Sequence, residues 1–344
     1  KVQSKHFNTF FNGPNIIRVS EQMEETTQKR ARELTEELVE HIKHTLEEKT
    51  GITPKEVIKG GSLGQGTAVD GEFDLDLVII TTDITLDSLM PDRDSEPDFY
   101  RWVKKLKKYI KDTLDPLHCK IIRVTRHAVQ FIYKDEINVD LLISPSVPDP
   151  FKFYQYLEHL TYKQQKSFTV CTSKWQVEFI SDKPPEISHV QQVKEFIRKA
   201  KKWRNKEWQD SNVMPPKSYL ISLLVLKAFE EARNLNHGYT PHATSVTRQL
   251  QELVRGHHKL NVHWDSSNYI MTTSGLGPTV TLPPSCQGTR ILDPANPFNN
   301  VYRSGVSNSS DTKDVETEWD LIVRRIDSLD LTEPDGIRRP LPRV

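Results

Sequence analysis

The sequence predicts an α/β (α+β) protein of two lobes: a mixed-sheet lobe over residues 1–150, backed by one long helix at 20–50, then a helical lobe over 151–344. Three observations carry this. Apolar runs with strand-like spacing crowd the first half. A helical period replaces them after about residue 151. A chain of 344 residues is long enough to bury two separate cores.

The elements follow in order. Ala31, Leu34, Leu38, Ile42 and Leu46 recur at helical spacing, and Gly51 stands where a glycine ends a helix. Glu56-Val57-Ile58 reads as a strand, then comes a small-residue turn at Gly60-Gly61-Ser62, and residues 74–81 read as a second strand. Residues 83–97, rich in Asp, Pro and Ser, read as a loop, and 98–113 as a helix carrying Lys104, Lys105, Lys107, Lys108 and Lys111. Strands are expected at 120–124, 128–133 and 137–143, the last two joined by a hairpin at Asp135-Glu136. The second half gives helices at 190–208, 217–232, 242–255 and 315–329. Residues 264–300, rich in Pro, Gly and Ser, read as loop, 304–314 as a polar turn, and the residues from Arg338 onward as a tail.

Composition narrows the function classes. Lys plus Arg equals Asp plus Glu at 47 each, so nucleic-acid binding by a globally basic protein is excluded and any such contact needs a local patch. Cys119, Cys171 and Cys286 lie far apart, which argues for a reducing, cytoplasmic setting and against a disulfide framework. His257, His258 and His263 have no cysteine partners nearby, so no zinc site is expected. No apolar run reaches membrane-span length and no signal peptide is visible. The chain opens on Lys1 rather than Met, consistent with a trimmed N-terminus.

The most informative stretch is Gly60 to Asp76. Eleven residues separate Ser62 from Asp74, and Asp74 and Asp76 sit two apart within an apolar run. Residues two apart on a strand share a face, so both carboxylates project together. Like charges side by side are costly unless a cation neutralises them. The Gly60-Gly61-Ser62 turn offers backbone N–H groups to phosphates without a Cβ in the way. A phosphate cradle beside paired carboxylates is the equipment of a metal-dependent enzyme acting on a nucleoside triphosphate. Either half alone reads as a plain turn or an edge strand; the combination at this spacing is what carries the inference. A third acid, Asp140, is the only one inside the apolar run 137–143, and acids so placed are rare unless paired or metal-bound.

This combination resembles the DNA polymerase β-like nucleotidyltransferases. Five segments narrow the resemblance to the 2′-5′-oligoadenylate synthases and the cyclic GMP–AMP synthase-like receptors. They are Lys59-Gly60-Gly61-Ser62 with Gly66-Thr67, Asp74 to Val78, Val139 to Leu142, Pro215 to Leu220, and Ile291 to Pro297, in the family's order along nearly the whole chain. The resemblance implies a bilobal fold with a cleft between lobes, an N-terminal catalytic lobe, and a C-terminal lobe like that of oligoadenylate synthases. It implies catalysis by Asp74, Asp76 and Asp140, which would hold two Mg²⁺ ions, with Mn²⁺ as a substitute. Gly60, Gly61, Ser62, Arg198, Lys201, Ser218 and Tyr219 would bind the donor nucleotide, ATP or another triphosphate, with Lys201 ahead of Arg198.

It further implies activation by double-stranded nucleic acid on a surface including Lys59, Lys29, Arg30 and Lys43, in a monomer that needs no membrane. Two departures matter. Gln65 stands where vertebrate oligoadenylate synthases commonly carry Lys, and the zinc insertion of vertebrate cyclic GMP–AMP synthase has no counterpart, which favours RNA over DNA as the activator. The product, linear oligoadenylate or cyclic dinucleotide, stays open. So do two other functions: an RNA-tailing poly(A)- or tRNA-type nucleotidyltransferase, and an inactive RNA-binding scaffold.

Overall fold

The computed structural model describes residues 14–69, 74–90, 96–114, 119–182, 187–262, 264, 288–304, 306 and 312–332. Cys286, His263 and the expected C-terminal tail lie outside these residues. The long helix α1 runs Pro14–Thr50, starting earlier than its apolar stripe announces, with proline at its first position where the missing N–H costs nothing. Leu34, Leu38, Ile42 and Leu46 are fully buried along one stripe. Gly51 adopts φ +66°, and its N–H bonds the Glu47 carbonyl at 2.8 Å, closing the helix.

Among the described residues five strands form the first sheet: β1 (Pro54–Lys59), β2 (Asp74–Thr81), β3 (Cys119–Val124), β4 (Ala128–Tyr133) and β5 (Ile137–Pro145). Their order is β1-β2-β5-β4-β3, antiparallel throughout except for the parallel pair β2/β5. On β5 the alternation is strict: Val139, Leu141 and Ile143 are buried, while Asn138 is exposed and Asp140 and Leu142 are half-buried. The β4–β5 hairpin forms as expected but turns one residue earlier than the Asp135-Glu136 step, at Lys134 and Asp135, whose φ of 51° and 56° lie in the left-handed region. Between β1 and β2 lies the one-turn helix α2 (Gly61–Gly64); α3 (Leu86–Leu89) falls inside the expected loop, and α4 (Tyr100–Tyr109) packs against α1 and the sheet.

Beyond the sheet come α5 (Pro150–Glu158), α6 (Tyr162–Ser167), a 3₁₀ turn at Phe168–Thr172, α7 (Ser173–Asp182), α8 (Ile187–Trp208), α9 (Ser218–Leu235) and α10 (Ala243–Arg255). The stretch expected to be loop over 264–300 instead contains β7 (Arg290–Asp293) and β8 (Asn296–Asn300), with β6 (Asn261–Val262) beside β7. The Pro, Gly and Ser that dominate the average composition sit largely outside these two short strands, which is why averaging concealed them. Then follow α11 (Val301–Ser304) and α12 (Thr312–Arg325).

Two apolar clusters underlie the lobes. The first joins α1, the sheet and α4 with Phe153, Tyr154, Leu157, Phe168 and Trp175, and takes in Ala295 and Phe298. The second runs from Phe179 through α8, α9, α10 and α12 and includes Ile291. Apolar packing thus divides the chain within α7, downstream of residue 150. The β7–β8 hairpin, with Ile291 in one cluster and Phe298 in the other, fastens the two together.

Candidate active site

The parallel pairing of β2 with β5 sets Asp76 directly opposite Asp140, and Asp74 opposite Asn138. The Asp74 backbone is thereby placed, while its side chain lies outside the described residues. Asp76 and Asp140 share a strand face with Val78 and Leu142, and all four line a cleft of about 550 Å³. Neighbouring β4 pairs Gln130 with Asp140 in register, and the Gln130 amide donates to Asp140 Oδ2 at 2.9 Å, fixing the carboxylate's rotation.

The glycine turn closes over this strand. The Gly60 N–H bonds the Asp76 carbonyl at 2.7 Å, extending the β1–β2 ladder by one step. At Gly61 the backbone turns with φ +56°, and a Cβ there would lie 2.1 Å from Asp76 Oδ2. Only glycine satisfies both conditions at once. Gly60 and Gly61 therefore pack against Asp76, and Ser62 lines the same cleft.

The opposite wall is basic and comes from the helices. Lys201 of α8 is 3% exposed, lines the cleft, and donates to Thr67 Oγ1 at 2.8 Å and to the Thr67 carbonyl at 3.2 Å. Gln65, also buried, reaches Thr67 Oγ1 at 3.5 Å. Lys166 of α6 and Lys217, the residue that precedes α9, complete the wall. Lys217 is exposed as a residue, yet desolvation, and secondarily Lys166, lower its pKa.

Ser218 and Tyr219 occupy the first turn of α9 and line the cleft, so its N-terminal N–H groups face the same space. The Tyr219 hydroxyl donates to Asp293 Oδ1 at 2.9 Å. Asp293 is fully buried; burial raises its pKa, and hydrogen bonds from Ala295, Asn299, Tyr219 and Gln176 act in the opposite direction.

The remaining sequence-predicted residues fall elsewhere. Arg198 does not line the cleft; its guanidinium donates to the Gly66 carbonyl at 2.9 Å, bracing the glycine turn from behind. Lys59 is ion-paired with Glu36 of α1. Arg30 pairs with Glu136 at 2.8 Å and Lys43 with Glu40 at 2.7 Å, while Lys29 is exposed. Three of the four residues expected to meet nucleic acid thus already hold acidic partners. The sequence gives no role to Lys166, Gln176 or Asn299, nor to Lys217 and Asp293, which lie in two of the segments that carry the resemblance; all five build the cleft or its support. Only Asp293 carried a local signal, an acid inside the apolar run Ile291-Leu292-Asp293.

Two opposed carboxylates with oxygen-only donors suit a hard divalent cation such as Mg²⁺. Among the described residues no group of three or more His, Cys, Asp or Glu is gathered, and the Asp74 carboxylate is not among those described. Asp76 and Asp140 supply two donors that fit.

The family model described as 2′-5′-oligoadenylate synthetase 1, domain 2, C-terminus matches residues 146–324. Rattus norvegicus 2′-5′-oligoadenylate synthase 1A is 24% identical over 282 residues, covering 73% of this chain and 72% of its own length. A second Rattus norvegicus relative, named inactive 2′-5′-oligoadenylate synthase 1B, is 24% identical over 285 residues, covering 74% of this chain and 69% of its own. Among solved structures, that of E. coli MS115-1 CdnC with ATP superposes with a TM-score of 0.56 at 17% identity, covering 88% of this chain and 84% of that one. At that identity the likeness speaks to the fold, a bilobal arrangement with a mixed sheet.

Proposed function

The chain belongs to the 2′-5′-oligoadenylate synthetase family, and from that premise we propose that it is an active nucleotidyltransferase making a 2′-5′-linked nucleotide messenger from triphosphates. The observation that carries this is the cleft itself: Asp76 in register with Asp140 on one wall, buried Lys201 on the other. Such a site is built for a polyanion that must be neutralised from one side and activated from the other.

The chain's own groups divide the work. Lys201, Lys217 and Lys166 hold the donor triphosphate, and the Gly60-Gly61-Ser62 turn supplies N–H groups and the Ser62 hydroxyl to its terminal phosphates. Tyr219 borders the space beside them for a base to stack on. Asp140, its rotation set by Gln130, accepts the proton of the attacking ribose hydroxyl. Asp76 and Asp140, with Asp74, would hold two Mg²⁺ ions, which would supply charge neutralisation and a more acidic hydroxyl. The oxygen nucleophile forms a bond to the donor α-phosphorus and pyrophosphate leaves, so catalysis is mostly positioning and charge stabilisation.

Duplex RNA is the proposed activator, acting in the cytoplasm on a monomer. The Lys59–Glu36 pair ties the residue before Gly60 to α1. A backbone phosphate that draws Lys59 from Glu36 changes the tension on the turn contacting Asp76. Such binding reads backbone and shape, tolerates sequence, and weakens as salt rises, with a log–log slope of about 0.9 per phosphate contact on the duplex-DNA estimate.

The test is incubation with four labelled triphosphates and Mg²⁺ alone, or with duplex RNA, single-stranded RNA or duplex DNA, followed by linkage-specific nuclease digestion. The expected result is a 2′-5′-linked product and pyrophosphate, strongest with duplex RNA. Label added to the RNA ends would make the chain a tailing enzyme. Equal turnover without nucleic acid would remove the activator, and no turnover in any arm would leave the scaffold function.

A further inference from the structure

The sheet face that carries the acids continues past Asp140 to the free edge of β3. Strand pairing lays out two rows across it, from β2 through β5 and β4 to β3. One row is Asp76, Asp140, Gln130, Arg123, and the other is Asp74, Asn138, Ile132, Lys120. Residues directly opposite on neighbouring strands share a face. Arg123 therefore stands on the face of the acids, two strands beyond Asp140, with about 10 Å between their backbones.

Arg123 reaches that face through a bulge. The β3–β4 register shifts between Ile121 and Arg123. In unbroken alternation from Lys120, Arg123 would point into the core and Val124 toward the acids. The extra residue sets both Ile122 and Arg123 on the acid face, and Val124 packs on the first apolar cluster instead. Burial follows the same pattern: Cys119 is buried, while Lys120, Ile122 and Arg123 are exposed. Ile122, 58% exposed, lines a second hollow of about 210 Å³ with Gln130, Asn138 and Asp140. Asp140 borders both this hollow and the main cleft. Among the described residues neither Lys120 nor Arg123 is ion-paired, in contrast to Lys59, Arg30 and Lys43. Charge on an edge strand also discourages pairing with another sheet, but that role calls for neither a bulge nor an exposed isoleucine beside it.

We propose that Arg123 and Lys120 bind the phosphates of the acceptor nucleotide. This rests on the reading of the cleft as a nucleotidyltransferase site. There the donor triphosphate lies against Lys201, Lys217 and Lys166, and Asp140 takes the proton as the acceptor's hydroxyl oxygen bonds to the donor α-phosphorus and pyrophosphate leaves. The acceptor ribose approaches Asp140 from the side away from those lysines, so its own 5′-phosphates extend over β4 toward the edge of the sheet. Arg123 meets them with a planar fork and Lys120 with a point charge, and Ile122 gives the sugar an apolar rest. Two separate sets of cations keep donor and acceptor phosphates from competing for one site. The chain then selects acceptors that carry a 5′-polyphosphate over bare nucleosides.

The test supplies the full chain with Mg²⁺, duplex RNA and saturating 2′,3′-dideoxy-ATP, a donor with no hydroxyl to attack with. The acceptors are adenosine, AMP and α,β-methylene ATP, which cannot donate. The measured quantity is kcat/KM for α,β-methylene ATP relative to adenosine within each protein: unmodified, Arg123→Gln, Lys120→Gln, the double variant and Arg123→Lys. A partly unfolded sample does not alter such a ratio, so loss of folded protein cannot imitate the effect. The unmodified chain should favour the triphosphate acceptor about tenfold, with AMP between, a modest figure because both cations are exposed. Each single Gln variant should lower the ratio about threefold and the double variant should bring it near one, while Arg123→Lys keeps most of it. The preference should also shrink as salt rises. No preference in the unmodified chain, or one that survives the double substitution, would overturn the inference and leave the nucleotidyltransferase standing. No transfer to any acceptor would overturn both.

Discussion

The two walls of the cleft are built in opposite ways. The acidic wall comes from neighbouring strands of one sheet, where the parallel register alone brings Asp76 against Asp140. The basic wall gathers Lys166 from α6, Lys201 from α8 and Lys217 from the residue before α9, segments that no shared sheet register aligns and that meet through packing. A strand positions its side chains by the rigid period of the backbone. A lysine at the end of a long flexible stem is positioned by what its neighbours permit. The acidic wall should therefore be sensitive to single atoms, and the basic wall graded in its response.

The sharpest way to break that contrast is Asp76→Asn. Turnover should fall about 10³-fold or more, since a preorganised charge at the reacting centre is lost. Thermal stability should hold or rise, because the substitution removes one of two opposed like charges. Retained Mg²⁺-dependent turnover would dissolve the distinction between the walls.

Lys201→Ala tests the other side and should cost less, about 10- to 100-fold in kcat/KM for the donor, the range for charge-assisted hydrogen bonds. Affinity for duplex RNA should stay within about twofold. An RNA affinity that collapses while donor kinetics stay level would move Lys201 out of the cleft's chemistry.

The smallest effect belongs to Lys217. Its pKa is lowered in the free protein, so its proton leaves at lower pH than from an ordinary lysine. A bound triphosphate favours the ammonium and pulls the pKa back up. Donor affinity should therefore decline by a few-fold as pH rises through the alkaline range, with proton uptake on binding visible in buffers of different ionisation enthalpy. Lys217→Arg, always charged, should flatten the profile. A wild-type profile already flat to pH 9 would sink this prediction.

The same contrast explains what could be read before folding. The apolar flanks of Asp74, Asp76 and Asp140 announce strands with carboxylates on one face, because period two is a local property. The opposition of Asp76 and Asp140 is a fact of strand order, and no spacing states it. Lys201 was reached only through family resemblance, and Lys166 and Lys217 look like any solvated lysine. Asp293 was legible by the very argument applied to Asp140, an acid within an apolar run. Its segment, Ile291 to Pro297, counts toward the family resemblance, yet nothing local gives the acid a role, since its partners Tyr219 and Gln176 come from distant helices. The two lobes and most elements were legible from period and glycine punctuation. The fastening of the lobes by a late hairpin was not, since nothing local tells which core a phenylalanine will join.

That hairpin also sets an order of events during synthesis. When a ribosome moving at about 5–20 residues per second has passed Trp264 and not yet reached Arg290, every carboxylate and lysine of the cleft has been made. Asp293, Ala295, Phe298 and Asn299 have not. The first core still lacks Ala295 and Phe298, and Tyr219 and Gln176 have no common anchor. A nascent or prematurely released chain carries the reactive groups without the clasp that aligns them. A fragment ending before the hairpin lacks that clasp.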